Sequence, residues 1–297
     1  MILLTGQQLP LKTKKHLLKN SNKQTLTIKI NMENADKLLF RCSALGNLMT
    51  EPQKKSETIS EGTKTYLIDV FIADKYKRRE EIKSKFLDKG NEREEDSITL
   101  LSRIHKKFYK KNELRLNNDF ITGITDCYLG EEIEKATETL DTKSSWSAHT
   151  FFRAQKDKLN TMYKWQGVGA MWLTGANKHT VAYCLVNGTS KAIDDEKRKM
   201  SYSVNAIDVQ TSPDYIEKAK QIEINHIFDI QSFYDENPGY DFCNELEIDN
   251  GVVTWAFDIP KEERLFTFVF DRDETEIERL QNRIKDCRVW MNENLYK

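Results

Sequence analysis

A chain of 297 residues gives room for one large domain, or one domain carrying an insertion, with a sizeable buried core. Its 14 Phe, 11 Tyr and 5 Trp, with 38% hydrophobic residues overall, exclude a disordered polymer. Because 46 Lys and Arg face 47 Asp and Glu, the net charge of -1 excludes a uniformly basic nucleic-acid coat while leaving local charge open.

The cysteines, Cys42, Cys127, Cys184, Cys243 and Cys287, are far apart and never form a C-x-x-C pair, which points to reduced thiols. No apolar run approaches the roughly 18 residues of a membrane span, and the opening Met-Ile-Leu-Leu-Thr-Gly turns polar too early for a signal segment. The expectation is a cytoplasmic protein without a membrane partner.

In chain order, residues 1–37 read as a basic extension. Six lysines and no acid lie between 11 and 29, and the alternating run 25–30 predicts a strand. Residues 51–64 are polar and lack a period, which predicts a loop. Apolar positions recurring at three and four predict one helix over 66–87 and another over 94–109, flanking Gly90. The β-branched and aromatic run 120–129 predicts a strand ending at Gly130. A charged turn then leads to a second, antiparallel strand at 139–143.

A helix over 157–173 and a strand over 180–186 follow. Residues 188–251 read as an insertion, with Ser212-Pro213-Asp214 as a helix start and Asn237-Pro238-Gly239 as a turn. A strand at 265–270 and a helix at 273–295, with acids in its first turn, close the chain. The organisation is an α/β core over 38–187, interrupted by the insertion and completed by 252–297. A central mixed sheet with helices on both faces is expected.

The chemistry centres on Asp141 and Lys143, two apart and so on one face of a strand. If the preceding strand pairs with this one, Asp126 sits beside Asp141, and two adjacent carboxylates call for a cation. Oxygen ligands without His or Cys favour Mg²⁺ or Mn²⁺ over zinc. Such an ion polarises a phosphodiester and activates water, with Lys143 stabilising the developing charge. Glu94, at a helix start, is a third candidate acid, with Glu92 and Glu95 as competitors. A bare D-x-K is equally an exposed surface ion pair.

The ordered set is more specific than its parts: Gly90-x-x-x-Glu94, Gly123-Ile124-Thr125-Asp126, Leu140-Asp141-Thr142-Lys143-Ser144-Ser145 and Tyr163-x-x-Gln166. It resembles the PD-(D/E)XK nuclease superfamily, and within it the phage recombination exonucleases of the lambda exonuclease and YqaJ type, with the RecB-like nucleases. The likeness spans about 40–186. The run Tyr163-Lys164-Trp165-Gln166-Gly167-Val168-Gly169-Ala170-Met171-Trp172-Leu173-Thr174 looks like the family's Y-x-x-Q helix. Arg41-Cys42-Ser43-Ala44-Leu45-Gly46 is similar to its early Ser-containing helix start. Thr125 and Cys127 depart from the Pro and Gly often found there.

By resemblance, Glu94, Asp126, Asp141 and the Thr142 carbonyl are metal ligands, Lys143 is the catalytic lysine, and Gln166 lines the site. The resemblance further implies a restriction-endonuclease-like fold and Mg²⁺-dependent hydrolysis of DNA from duplex ends. It also implies a single-strand annealing partner, a possible homo-oligomer and a phage origin. An endonuclease on the same scaffold, or a silent DNA-binding protein, are the alternatives. Arg41 is a candidate for a terminal phosphate or equally a surface arginine, and Ser43 and Tyr163 are candidates for further DNA contact.

Basic residues cluster over 75–89, including Arg78, Arg79 and Lys89, and over 103–115, including Lys106 and Lys107. Each run reads as a phosphate-binding face or a solvated helix face. Trp146, Phe151 and Phe152 read as base-stacking or core residues. The five histidines lack metal spacing and read as incidental. No P-loop or G-x-S-x-G elbow is present.

Overall fold

The structure is a computed structural model that describes residues 34–80, 84–204 and 209–297, with only the backbone at 85–87. The strand expected at 25–30 and most of the basic extension lie outside the described residues. Residues 34–37 belong with the C-terminal part of the chain, since the Ala35 nitrogen donates to Asn292 Oδ1 at 2.7 Å.

β1 (Phe40–Arg41) leads through a helical turn into α1 (Leu45–Leu48). α2 (Glu61–Lys75) starts five residues before the expected position, because the Ser60 hydroxyl caps it by accepting from the Thr63 nitrogen at 3.1 Å. The single helix expected over 66–87 is in fact two, α2 and α3 (Lys85–Glu92). Between them Lys77 takes a left-handed φ of 54°, and the run Lys75, Lys77, Arg78, Arg79 combines like-charge repulsion with no apolar face to bury. Gly90 lies inside α3 rather than between helices. The break falls at Arg93, before α4 (Glu94–His105), which ends at the left-handed Lys106.

β2 (Lys110–Lys111), β3 (Leu116–Asn117), β4 (Ile121–Gly123) and β5 (Cys127–Leu129) follow. The single strand expected over 120–129 is broken at 124–126, which sends β4 and β5 into different sheets. The break is stitched by polar contacts. Thr125 Oγ1 donates to the Leu140 carbonyl at 2.9 Å, Asn112 Nδ2 to the Thr125 carbonyl at 3.1 Å, and the Asn112 nitrogen to the Asp126 carbonyl at 2.9 Å.

Next come β6 (Glu138–Ser144), α5 (Ala148–Lys156), α6 (Thr161–Thr174) and β7 (Lys178–Cys184). α5 is unanticipated in the sequence because its capping box pairs Ser147 with Thr150, not with the usual Glu or Gln.

The 188–251 stretch contributes α7 (Ser190–Ser201), α8 (Pro213–His226), α9 (Ile230–Glu236) and β8 (Glu247–Asp249). β8 pairs with β9 (Val252–Thr254). These elements bury their own cluster around Ile193, Ile227, Ile230 and Phe233. They are tied to α4 by Arg93, whose Nη1 donates to both Glu236 carboxylate oxygens at 2.6 and 2.7 Å. β10 (Leu265–Asp271) and α10 (Glu274–Asn294), capped by Asp273, close the chain as expected.

The central sheet has the order β10-β7-β6-β5-β2, with β6 and β7 parallel and the other pairs antiparallel. Alternation sorts its side chains. Leu140, Ala182 and Cys184 pack with Ile98 and Leu101 of α4 on one face. On the opposite face Lys143 and Tyr183 meet Tyr163 of α6. A mixed sheet clad by helices on both faces is thus the architecture, as the sequence pattern implies. Among the described residues no helix is long and apolar enough to cross a membrane.

Candidate active site

The β5–β6 register pairs Cys127 with Leu140, so one residue further on Asp126 stands opposite Asp141. Asp126 Oδ2 accepts from the Thr142 nitrogen at 2.7 Å and from its hydroxyl at 3.1 Å. The Asp126 nitrogen donates to Asp141 Oδ1 at 3.4 Å. Asp141 is 1% exposed. The two acids are therefore laced to each other's strands.

Burial, with Asp141 next to it, pushes the Asp126 carboxyl up to about 7. Burial resists ionisation of Asp141 as well, but Lys143 and His179 outweigh it and hold Asp141 below the ordinary carboxylate range. For Lys143, burial disfavours the ammonium, and Asp141 and Asp126 more than compensate, raising its pKa above the usual lysine value. The Lys143 Nζ lies 4.8 Å from the centre of the Tyr163 ring, a cation–π contact that aims it along α6.

Gln166, one turn beyond Tyr163, lines a small pocket together with Asp141, Thr125, Asn112 and Cys42. Glu94 is half-buried at the start of α4, where its charge reaches Asp126 and Lys143, but its carboxylate is 3.6 Å from Lys111 Nζ. Lys111 also pairs with Glu95 at 2.8 Å. Among the described residues no group of three His, Cys, Asp or Glu side chains stands together to hold a metal ion. The acids that β5–β6 pairing sets side by side are Asp126 and Asp141.

Arg41 and Ser43 are exposed on either side of Cys42, which lines that pocket, but neither lines it, and the charge of Arg41 acts on Tyr66 of α2. Arg78 and Arg79 are exposed just beyond α2. Lys106 and Lys107 are exposed at the far end of α4, about 18 Å along the helix from Glu94. Lys89 is not a phosphate contact. It is 3% exposed and donates to the Trp146 carbonyl at 3.3 Å, with the Phe228 ring 5.4 Å away. Burial pushes its pKa down to about 7.

Phe151 is fully buried, whereas Phe152 is 40% exposed and borders a groove with Ala148, His149, Arg153 and Lys156. Successive ring contacts lead from Phe152 through Phe151, Phe266 and Tyr183 to Tyr163 beside Lys143, with centroid spacings of 5.2, 5.0, 4.7 and 6.1 Å.

Two residues with no role in the sequence reading touch this site. Asn112 stitches the strand break that carries Asp126. His179, read as incidental, is fully buried on β7 with Nε2 3.5 Å from Asp141 Oδ2. Its only signal is tertiary: a parallel neighbour brings it to the D-x-K strand, and ligand spacing in the sequence carries no trace of that.

No family profile and no curated protein matches the chain. Among solved structures, a phage-related exonuclease from Haemophilus somnus 129PT aligns with a TM-score of 0.61 at 21% identity, covering 89% of this chain and 96% of that one. An alkaline exonuclease from Laribacter hongkongensis aligns with a TM-score of 0.49 at 10% identity over 86% of this chain and 89% of that one. The same enzyme's complex with dAMP gives 0.48 at 11%, over 86% and 90%. The chain has a mixed α/β nuclease-type fold. More particularly, over most of its length, it has the fold of a phage-related exonuclease.

Proposed function

We propose that the chain is a metal-dependent deoxyribonuclease that hydrolyses phosphodiesters from duplex DNA ends, in recombination of the phage type. The observation that carries this reading is the convergence of Asp126, Asp141 and Lys143 at one point of the exonuclease-like sheet.

The donor set suits a hard divalent cation. Asp126 and Asp141 would supply carboxylate oxygens and Thr142 a backbone carbonyl, with one ammonium, Lys143, within electrostatic reach of the buried Asp141 and the half-buried Asp126. A Mg²⁺ held there, or Mn²⁺ in its place, supplies Lewis-acid polarisation of the phosphodiester and a water of lowered pKa.

The chain's own groups do the rest. The Lys143 ammonium, held against the Tyr163 face and within electrostatic reach of both carboxylates, stabilises charge gathering on the phosphoryl oxygens. Gln166 offers amide hydrogen bonds at the wall of the pocket. Glu94 is a further acid within electrostatic reach, released for the site if Lys111 moves to a phosphate. Arg41, exposed next to the pocket-lining Cys42, is the proposed contact for a terminal phosphate, with exposed Ser43 as a further DNA contact.

The test uses an end-labelled linear duplex, a covalently closed circle and a single strand, each incubated with Mg²⁺ or with EDTA. The expected outcome is shortening of the linear duplex from its ends in Mg²⁺ only, with the circle intact. Cutting of the circle would make the enzyme an endonuclease.

A further inference from the structure

We propose that His179 is a positioning residue for Asp141, setting which carboxylate oxygen is presented to the cation. This rests on the metal-dependent reading above. Parallel pairing of β6 and β7 places Thr139 beside His179 and Asp141 beside Val181. The His179 ring thus lies one pleat from the Asp141 carboxylate and is fully buried.

Its Nδ1 is 2.8 Å from Thr139 Oγ1, and its Nε2 is 3.5 Å from Asp141 Oδ2. No hydrogen bond satisfies Nε2 among the described residues. A buried ring nitrogen without a partner is costly. Two tautomers are available. If Nδ1 carried the proton, an Nε2 lone pair would face the carboxylate and repel it. If the Thr139 hydroxyl donates to Nδ1, the Nε2–H faces Asp141 Oδ2 and attracts it. Thr139 therefore selects the tautomer that serves Asp141.

The ring has little freedom to answer in any other way. Phe270 lies 5.4 Å away, centroid to centroid. A Cβ on Gly167 of α6 would come within 2.3 Å of His179 Cδ2, so the helix backbone rests on the imidazole. With the ring clamped, the carboxylate is divided. Oδ2 is directed to His179 and Oδ1 to the Asp126 nitrogen, which leaves Oδ1 as the oxygen that would be offered to a cation. Hydrogen-bond partners of ligating carboxylates act in this way, and their loss costs roughly 10–100-fold in metal affinity.

The experiment measures Mn²⁺ binding to the DNA-free chain by calorimetry, the Mg²⁺ concentration for half-maximal cleavage, and the melting curve. The proteins are wild type, His179→Phe, His179→Gln and Thr139→Val. Expected are about 10–100-fold weaker Mn²⁺ binding by His179→Phe and a matching rise in the Mg²⁺ requirement. Most of the affinity should return in His179→Gln, whose amide reaches the Nε2 position, and Thr139→Val should shift affinity in the same direction by less.

A folded His179→Phe that binds Mn²⁺ like the wild type overturns the proposal, as does a Gln variant no better than Phe. If His179→Phe does not fold, Thr139→Val decides, and unchanged affinity there overturns it. A wild type that binds no Mn²⁺ and cleaves nothing sinks the metal reading itself, which is a different failure.

Discussion

The carboxylate of Asp126 is bonded across to the neighbouring strand at Thr142: Oδ2 accepts from the Thr142 nitrogen at 2.7 Å and from its hydroxyl at 3.1 Å. Thr142 sits between Asp141 and Lys143, so one acid from the broken 124–126 segment is locked onto the centre of the D-x-K strand. The arrangement holds two like charges together at the expense of the metal-free fold.

Removing either end of this constellation separates chemistry from binding. Lys143→Ala and Asp141→Ala are expected to lower cleavage by at least about 10²–10³-fold, with duplex affinity in EDTA changed only a few-fold. Single-turnover cleavage beside fluorescence anisotropy checks it, and full-rate Lys143→Ala would remove that residue's assigned role.

Asp126 links pH to stability. Its folded-state value of about 7 is above the ordinary 3.8. Between those values the folded protein keeps a proton that the unfolded chain has released, so the contribution of Asp126 to stability falls as pH rises, and the full penalty stands above about 7. In EDTA, Asp126→Asn is expected to melt higher than the wild type at about pH 8 and near it at about pH 4. Mg²⁺ should raise the wild-type melting point alone, by about 2.7 kcal/mol of stability at 100 times its Kd. Differential scanning calorimetry reads both.

Much of this was legible in the sequence where local pattern and tertiary role coincide. The 265–270 strand and the helix capped at Asp273 have one period and one burial pattern each, and both form. Asp141 and Lys143 are linked by strand alternation alone, which no distant contact overrides. Other features depend on partners far along the chain. The break at 124–126 follows from hydrogen bonds given by Asn112 and from Thr125 to Leu140. His179 acquires its place only from the β6–β7 pairing. Lys89 sits in a basic run on paper, yet Trp146 and Phe228 enclose it.

That enclosed ammonium has its own signature. Lys89 drops from an ordinary 10.5 to about 7 in the folded chain. Between those values the unfolded chain holds a proton that the folded chain has lost, so stability rises with pH across this window, and the cost of the buried charge is complete below about 7. Lys89→Met is expected to melt higher at about pH 6 and to flatten the rise between 7 and 10.5. Thermal melts at a series of pH values test it.

The outer face of α5 is the expected continuation of a DNA track away from the site, since exposed Phe152 stands with Arg153 and Lys156 at the far end of the ring series from Tyr163. Replacing Arg153 and Lys156 by Ala should lower the slope of log affinity against log salt by about 0.7–0.9 for each phosphate that is no longer neutralised. Phe152→Ala should weaken binding to single-stranded ends by about 1–3 kcal/mol. Anisotropy titrations over a range of salt concentrations provide the readout.

The most direct test of the central claim is anomalous diffraction at the manganese edge from crystals soaked in Mn²⁺. A peak contacting the carboxylates of Asp126 and Asp141, with the Thr142 carbonyl in reach, is the predicted result. Density only at other sites, or none while the soaked protein still degrades duplex ends, would contradict it.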